Sequence, residues 1–600
     1  MQKENLSTLI NEIKDNIASN MKEYNIPGMS VALVSKDGIV WTEGFGFIDR
    51  NKTREVDSDT LFWIGSLAKA YTATAFLLAV QDGLVNIDDP LVKYYPEFNW
   101  NTRFGDKERE KITLRHLLTH RSGLQHFTQT KEPEEEGLFS FEKYISKINE
   151  SWQKYPVGER HSYSYSNAGY DLVPFVLQRI TGMKFSDYVK KKIYEPLGMS
   201  RSIIGTANVL GNANWAKGHE NESEFDSAKF ISPFIGAAGH YSSVNDMSKF
   251  VKMHLNNGIV NGKVFLKQEL LEEVYTIPFA EEYELSTIGM GLGVVKNKYD
   301  GRLMLSFFGD GDGCFCGHRF IPELGIGLLL ECNQIVDTMP VIAEIAEKIM
   351  SGLVKERLGE VPEDVTINDK IQLPPQTKLD TENLERLQGT YISRMMMDIN
   401  IELKDQNLMF NYRGKEISLE SHSECIFSSK VLPIIKFFKD DDGRPIKLKT
   451  IDSTGKIEIL DYDSGPLDEK GPNKEEWKKF SNLYRLDFSS FCFYSYTIIK
   501  NGYLHLLTTM GSKDFRLNEF RDNVFFTADG QDVVFEEDRM SMSSSIWVKD
   551  DVDVEKIIRL TEESPSDTRT NKQSLRELEE ILRWIGKESE ADRICELIVD

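Results

Sequence analysis

The residue pattern changes at a segment that carries two consecutive prolines. Before residues 373–380, helical and strand patterns are mixed, whereas after it short β-branched and aromatic runs separated by turn residues dominate. Pro374 and Pro375 cannot continue a helix or a sheet ladder, so this segment is predicted to be a linker. A chain of 600 residues is too long for a single hydrophobic core, and we expect about two to four domains.

The part before the linker, residues 1–368, is predicted to be one α/β (α+β) domain. Residues 28–46 have the pattern of a β-hairpin, and residues 67–83 form a largely apolar helix that stops at a glycine. Residues 325–332 read as a buried strand, followed by a helix at 340–353. Helices beside a mainly antiparallel sheet of distant strands are the expected packing.

The part after the linker is predicted to be rich in strands. Its strand-like runs lie at 398–403, 407–412, 415–419, 494–499, 503–507 and 533–536. A second linker is predicted at 461–476, and each half opens with a tyrosine, Tyr391 or Tyr484. We expect two small β-barrels or sandwiches, at 376–462 and 476–548, with one larger barrel left open.

The last 50 residues, 551–600, are predicted to form a helical tail. Ser574 and Glu577 have the spacing of a capping box, the helix they begin ends at Gly586, and a second helix covers 589–599. The tail is expected to pack onto the body or to hold a partner chain, which leaves a homo-oligomer open.

The formal net charge of −23, with no cluster of Lys and Arg, argues against nucleic acid as a partner. The charged amino terminus lacks the apolar run of a secretory signal, and no segment has the roughly 20 apolar residues that cross a bilayer. The 6 cysteines are scattered, which favours a reducing compartment. We therefore expect a cytoplasmic protein that does not associate with membranes.

Cys314 and Cys316, with His318 nearby, raise the question of a metal site. Zinc usually takes four ligands from two spaced pairs, and no second Cys/His pair accompanies this one. The alternation of Cys314, Phe315 and Cys316 is more typical of strand packing, with cysteine acting as a small apolar residue. We expect no metal.

The chemistry is predicted to centre on Ser66 and Lys69. Other S-x-x-K spacings occur by chance, at Ser19, Ser140, Ser151 and Ser453, so context has to decide. Ser66 opens a long apolar helix, where the helix dipole is positive, and Lys69 lies one turn on along the same face. A lysine on an apolar helix either extends to the surface or loses its hydration, which is costly unless the amine is paired or used.

Further motifs extend this pattern in order along residues 10–350. They are GSLAK (65–69), DGLVNIDDPL (82–91), HLLTHRSGL (116–124), YSNAGY (165–170), YEPLGM (194–199) and AAGHYSSVNDM (237–247). With these motifs the chain resembles the β-lactamase-related serine hydrolases, the superfamily of class C β-lactamases, penicillin-binding carboxypeptidases, D-aminopeptidases and related esterases. The strand-rich part resembles the lipocalin-like barrels of D-aminopeptidase-like members.

The resemblance implies a mechanism without metal or organic cofactor. Ser66 would attack an acyl carbon and form an ester that water hydrolyses, while Lys69 and Tyr165 move the protons. Asn167 would hydrogen-bond the substrate amide or Lys69. A lysine cation near the phenol is expected to move both groups toward neutral pKa values, and since the two titrate together neither is named as the sole base.

The third motif of this family, usually His or Lys, any residue, then Gly, departs from the pattern here. Phe307, Phe308 and Gly309 align with it. Phe307 would then replace a polar group that meets substrate carboxylates, which favours an ester or a neutral amide. The oxyanion hole is assigned to the backbone N–H groups of Ser66 and Asp310.

The remaining polar residues near these motifs are predicted to be structural. Asp310 and Asp312 are better explained as turn residues beside glycines than as ligands of a substrate ammonium. His116, His120 and His161 are also assigned structural roles.

The leading hypothesis is hydrolysis of a small ester or a peptide-like amide, by an esterase or a D-aminopeptidase-like peptidase. Its partner would be a small-molecule or peptide substrate. The alternative is a catalytically silent scaffold of the same fold that binds a ligand or assembles through its β domains and tail.

Overall fold

The structure is a computed structural model. It describes residues 3–126, 140–159, 163–220, 223–224, 234–278, 289–299, 302–311, 313–334, 339–359, 373–393, 398–412, 415–451, 457–466, 468, 470–487, 492–509, 513–542, 545–550, 554–563, 569 and 572–599. The chain divides into two compact units. The first unit comprises 1–124, 132–150 and 156–369, and the second comprises 125–131, 151–155 and 370–600. Among the helices described, none is long and apolar enough to cross a bilayer.

The first unit contains the following helices and strands. The helices are α1 (Lys3–Glu23), α2 (Ala68–Gln81), α3 (Glu108–Lys111), α4 (Leu114–Leu118), α5 (Phe141–Ile148), α6 (Asn167–Thr181), α7 (Phe185–Val189), α8 (Glu195–Leu197), α9 (Thr206–Val209), α10 (Val244–Leu255), α11 (Gln268–Val274) and α12 (Met339–Leu358). The strands are β1 (Gly28–Ser35), β2 (Gly38–Gly46), β3 (Phe62–Trp63), β4 (Ile203–Ile204), β5 (His219–Glu220), β6 (Ser223–Glu224), β7 (His240–Ser242), β8 (Ile259–Val260), β9 (Lys263–Val264), β10 (Gly289–Met290), β11 (Val295–Tyr299), β12 (Arg302–Gly311), β13 (Cys314–Ile321) and β14 (Ile326–Cys332).

The main sheet of this unit has seven strands in the order β10-β11-β12-β13-β14-β1-β2, and neighbouring strands are antiparallel. The predicted hairpin is β1 and β2, with Gly28 opposite Gly46. Strand β1 also pairs with β14, from the far end of the unit, which closes the sheet between distant segments. Side chains alternate across β1, so Val31 and Leu33 face α1 and α12, whereas Ala32 and Val34 face the core that contains α2 and α10.

Helix α2 is buried over most of its length, as expected for a helix that is apolar on all sides. A short 3-10 helix, Gly65–Leu67, leads into it, and Gly83 follows it in the left-handed conformation at φ 74°. Cys314 and Cys316 lie on β13 and are buried in its packing.

The second unit contains the remaining helices and strands. They are α13 (Thr381–Glu385), β15 (Gly389–Ser393), β16 (Ile399–Lys404), β17 (Asn407–Tyr412), β18 (Lys415–Ser418), β19 (Glu420–Ser421), β20 (Ile426–Ser428), β21 (Ile434–Lys439), β22 (Pro445–Ile451), β23 (Ile457–Ser464), β24 (Leu483–Asp487), β25 (Cys492–Lys500), β26 (Tyr503–Thr508), β27 (Lys513–Arg521), β28 (Val524–Phe526), β29 (Asp532–Phe535), β30 (Arg539–Met542), β31 (Ser545–Lys549), α14 (Val554–Glu563), α15 (Lys572–Trp584) and α16 (Glu588–Val599).

Two β structures make up most of this unit. One is a nine-stranded sheet in the order β18-β17-β16-β15-β23-β22-β21-β20-β19, and the other is a closed barrel of β24 to β31. The predicted fold class is therefore confirmed, with an α+β domain followed by two β structures and a helical tail. The second predicted linker starts too early, because residues up to Ser464 belong to β23.

The tail packs on the barrel through an apolar helix face. Leu575, Leu578 and Ile581 of α15 cluster with Cys492 and Tyr494 of β25. The predicted capping box is wrong, because Ser574 lies inside α15 rather than before it. The Ser574 hydroxyl instead accepts the backbone N–H of Cys492 at 2.8 Å.

Candidate active site

Ser66 lies at the turn that leads into α2. Its neighbours Gly65 and Leu67 are buried, whereas Ser66 is half-buried, so its hydroxyl is the accessible group of this turn. Gly65 has φ 51°, and a Cβ there would lie 2.9 Å from the backbone nitrogen of Asp310. The first N–H groups of a helix have no partner within the helix. The turn therefore presents the Ser66 alcohol at the positive end of α2.

Lys69 lies one helical turn after Ser66 and is 2% exposed. Its Nζ donates to Ser66 Oγ at 3.0 Å, to Asn167 Oδ1 at 2.7 Å and to the carbonyl oxygen of Ala237 at 2.9 Å. An ammonium has three protons, and each has an uncharged acceptor here. Burial lowers the pKa of Lys69 to about 7, although the carboxylates of Asp171 and Asp310 act in the opposite direction.

Tyr165 reaches the same hydroxyl from the segment that precedes α6. Its phenol donates to Ser66 Oγ at 2.8 Å, and its ring centroid is 4.8 Å from the Lys69 Nζ. Burial raises the pKa of Tyr165, and the hydrogen bond to Ser66 only partly offsets this. The expectation that the lysine cation brings the phenol toward neutral pKa is therefore wrong, because burial outweighs the hydrogen bond to Ser66 that lowers the pKa.

Asn167 is the first residue of α6. Its predicted contact with Lys69 is present in the structure, and the amide is 7% exposed. Ser166 caps this helix, because its hydroxyl accepts the backbone N–H of Gly169 at 2.9 Å. The cap fixes where α6 begins and thereby places Asn167 beside the amine.

Strand β12 lies directly against the Ser66 turn at Gly309. A Cβ at Gly309 would lie 2.1 Å from the carbonyl oxygen of Ile64 and 2.6 Å from the backbone nitrogen of Ser66, so no larger residue fits. The next residue, Asp310, has its backbone nitrogen beside Gly65. The backbone nitrogens of Ser66 and Asp310, assigned to the oxyanion hole, are thus adjacent to the same turn.

The comparison with protein families bears on these residues. A sequence model described as Beta-lactamase matches residues 13–343, which is more than half of the chain. The chain belongs to the Beta-lactamase family. This confirms the resemblance carried by the sequence motifs. Members of this superfamily are generally serine hydrolases, and the match includes Ser66, Lys69, Tyr165 and β12.

Two curated relatives show how much sequence is shared. The unguisins hydrolase ungD of Aspergillus violaceofuscus (strain CBS 115571) is 26% identical over 349 residues, which cover 52% of this chain and 59% of that protein. The Beta-lactamase-like protein 4 of Dictyostelium discoideum is 25% identical over 383 residues, 60% of this chain and 65% of that protein. The chain spans less than two thirds of the length of either relative.

One solved structure extends the comparison beyond the family domain. The crystal structure of SurE with D-Leu superposes with a TM-score of 0.53 at 18% identity, over 76% of this chain and 100% of that one. At this identity the similarity shows a shared fold alone.

The side chains of β12 differ from the expectation for a Beta-lactamase family strand. Phe307 was assigned to substrate contact, but it is 2% exposed and packs against Phe250, His254 and Phe320. Its side chain therefore belongs to the core. Because side chains alternate along a strand, Phe308 points the other way, and it is 46% exposed. The prediction that Phe307 lies at the substrate is therefore wrong, because its ring packs in the core.

His116 and His120 have structural roles, because each accepts a backbone N–H group. His116 Nδ1 accepts the backbone N–H of Thr113 in the capping box of α4. His120 is fully buried, its Nδ1 accepts the backbone N–H of Ser166 at 3.0 Å, and its ring stacks on Tyr165 at 4.3 Å between centroids. The assignments of His161 and Asp312 concern residues outside those the structure describes.

Sequence reasoning missed two residues that contact this arrangement. Ala237 supplies a carbonyl to Lys69, and Asp171 binds the turn that carries Ala237. The alanine lies in a motif that had been identified, but a backbone acceptor has no signature in the residue type. Asp171 did have a signal, because it is the single acidic residue of α6 and lies one turn after Asn167.

Proposed function

We propose that this protein is a serine hydrolase that forms an acyl-enzyme on Ser66 and cleaves a small ester or a peptide-like amide. The observation that carries the proposal is the position of Ser66 Oγ, which is 3.0 Å from Lys69 Nζ and 2.8 Å from the Tyr165 hydroxyl. An alcohol is a weak nucleophile at its ordinary pKa and needs an adjacent group that can take its proton. Here Lys69 is such a group, and Tyr165 contacts the same oxygen.

The proposed reaction has two steps. Ser66 Oγ forms a bond to the carbonyl carbon, its proton passes to the Lys69–Tyr165 pair, and the pair protonates the alcohol or amine that leaves. Water then attacks the ester, its proton passes to the same pair, and Ser66 recovers its proton as the acid is released. A lysine whose pKa is about 7 can serve as the acceptor near neutral pH, whereas the raised pKa of Tyr165 suits a phenol that relays a proton.

The negative charge that develops on the carbonyl oxygen needs donors that already point at it. The backbone N–H groups of Ser66 and Asp310 are the proposed donors, since Gly65 and Gly309 allow the two segments to approach closely. Such donors act through the backbone, so the phenylalanines of β12 do not weaken them.

The charge near Ser66 supports a substrate without a carboxylate. Asp310 is exposed on β12 and its negative charge raises the pKa of Lys69, which means that its field reaches the catalytic amine. Phe308, also exposed, adds an apolar surface on the same face of the strand. An anionic substrate would be repelled by Asp310, whereas an ester or a neutral amide would not.

A covalent probe tests the proposal directly. A fluorophosphonate is expected to label Ser66, as identified by peptide mapping, and Ser66→Ala is expected to abolish both labelling and turnover. Ser140→Ala is the matched control, because Ser140 has the same spacing to Lys143 but caps α5 instead. Labelling that persists in Ser66→Ala, or no labelling in the wild type, would favour the silent scaffold.

A substrate panel then separates the classes. We expect Ser66-dependent turnover of p-nitrophenyl acetate or of a D-aminoacyl p-nitroanilide to exceed that of a chromogenic cephalosporin, which carries a carboxylate. Asp310→Asn is expected to bring the turnover of the cephalosporin closer to that of the neutral substrates, because it removes the negative charge that repels the carboxylate. A cephalosporin that is the best substrate of the wild type would contradict the proposed preference.

A further inference from the structure

Asp171 is a fully buried carboxylate behind the catalytic lysine. It lies on α6 one turn after Asn167, so the two side chains share a face of the helix. Its Oδ1 accepts the backbone N–H groups of Gly236 at 2.8 Å and Ala237 at 3.0 Å. Its Oδ2 accepts the Tyr144 hydroxyl at 3.3 Å. The proposed reaction assigns no role to this group.

The turn that Asp171 holds is the one that faces Lys69. The carbonyl of Ala237 accepts a proton of the Lys69 ammonium at 2.9 Å, and the carbonyl of Gly236 accepts the Thr72 hydroxyl of α2 at 2.7 Å. A Cβ at Gly236 would lie 2.5 Å from Cγ of Pro174, so the turn also packs tightly on α6. Residues of both α2 and α6 therefore hold the turn in place, and Ala237 connects Asp171 to Lys69.

The two groups also interact through their charges. Burial is the main influence on each: it lowers the pKa of Lys69 and raises the pKa of Asp171, while each charge acts on the other against that trend. Within the described part of the chain, the other titratable groups around them are Tyr144 from α5, Tyr170 from α6, Tyr165, and Asp310 from β12. A buried carboxylate of this kind needs a counter-charge, and Lys69 is the cation with which it interacts.

We propose that Asp171 is a positioning residue that holds the Ala237 carbonyl against Lys69 and, as the buried counter-charge of the ammonium, controls the protonation of Lys69. This inference rests on the proposed function for its catalytic consequence. Removing the charge favours the neutral amine, so Lys69 would lose its proton at lower pH.

Asp171→Asn tests the charge, because the amide oxygen still accepts both backbone N–H groups while the charge is removed. We expect the limb of the kcat/KM profile that reports Lys69, measured with p-nitrophenyl acetate, to move to lower pH by about one unit. Asp246→Asn is the matched control, because Asp246 is also buried and accepts two backbone N–H groups, from Arg201 and Ser202. Asp246→Asn is expected to leave the limb at its wild-type pH. If Asp171 had only a structural role, Asp171→Asn would leave the limb there as well.

A milder variant keeps the test valid if Asp171→Asn folds poorly. Tyr144→Phe removes one donor to Asp171, favours its neutral form, and is expected to move the limb in the same direction by a smaller amount. Thr72→Val loosens the turn without changing charge, so it is expected to lower kcat about threefold with the limb unmoved.

A readout independent of turnover separates the two proposals. Protein labelled with [ε-13C]lysine reports the titration of Lys69 by NMR, with the signal assigned by its loss in Lys69→Arg. If the titration moves in Asp171→Asn but the wild type has no Ser66-dependent turnover, the proposed function fails and this inference stands. If turnover is present but neither the titration nor the limb moves, this inference is overturned and the proposed function stands.

Discussion

Two lysines are buried among the residues that the structure describes, one in each unit, and their surroundings differ. Lys69 is 2% exposed, and its three hydrogen-bond acceptors are neutral oxygens. Lys154, which belongs to the second unit, is 8% exposed and forms an ion pair with Asp529 Oδ2 at 3.1 Å. Among the described residues, Asp171 has no such direct contact with Lys69: its hydrogen bonds reach Lys69 through Ala237, and the two charges act on each other from there.

The consequence of this difference appears in the proton equilibria. Burial lowers the pKa of Lys69 to about 7, where the amine can exchange a proton near neutral pH. At Asp529, burial raises the pKa, but the Lys154 charge and further hydrogen bonds outweigh it and keep the carboxylate ionised. Lys154 thus has a direct carboxylate partner, whereas Lys69 has neutral acceptors and a lowered pKa, which agrees with its proposed role as a base.

The largest expected effect separates the two lysines by activity. Lys69→Arg keeps a positive charge but cannot give up a proton, so Ser66-dependent ester turnover is expected to fall about a thousandfold. Lys154→Arg keeps the ion pair and is expected to retain near wild-type turnover. Both are measured as kcat/KM under the same conditions. Equal losses in the two variants would contradict the different roles assigned to the two lysines.

For the free energy of unfolding, we expect the loss of Lys154 to matter more than the loss of Lys69. Lys154→Met leaves Asp529 buried without its partner and is expected to cost about 3 kcal/mol in the free energy of unfolding. Lys69→Met is expected to cost less, because it removes a buried amine and Asp171 can take up a proton. Urea denaturation followed by circular dichroism measures both, and a larger loss for Lys69→Met would contradict the assignment of roles.

The close approach of β12 to the Ser66 turn is expected to matter for activity. In Gly309→Ala the new Cβ would meet the carbonyl of Ile64, so the strand has to move and turnover is expected to fall about a hundredfold. Gly211→Ala is the control, because nothing lies within 4 Å of a Cβ there. Unchanged turnover in Gly309→Ala would mean that activity does not depend on the close contact between β12 and the Ser66 turn.

The smallest expected effect is the pH dependence of the wild type. Lys69 is protonated below its pKa of about 7 and neutral above it, so a reaction that needs the neutral amine accelerates as pH rises through that value. Turnover is expected to drop about fivefold from pH 7 to pH 6 and to level off above pH 8. A profile with no limb near pH 7 would contradict the role of Lys69 as the proton acceptor.

Several parts of the fold could be predicted because local patterns decide them. The hairpin of β1 and β2, the helix α2 and the buried strand β14 follow from turn residues, apolar runs and strand-forming residues. The same holds for Ser66 and Lys69, since residues three positions apart on a helix must be neighbours. The family motifs added Tyr165 and Asn167, which local patterns do not connect with Ser66.

Other parts depend on neighbours that are distant in sequence. The choice between Phe307 and Phe308 as the core residue was set by the packing of β12 on α10. Ser574 has the spacing of a cap, but its hydroxyl bonds a barrel strand instead. The raised pKa of Tyr165 reflects how many groups exclude water around it, which no motif records.

The amino-acid sequence by itself determined which residues could do chemistry here, because an alcohol, an amine and a phenol are side-chain identities, and helical spacing brings the first two together. The tertiary structure decided how acidic those groups are and what they contact. Both properties depend on burial and on backbone groups such as the Ala237 carbonyl, which come from segments about 170 residues away in the chain, 168 in the case of Lys69 and Ala237.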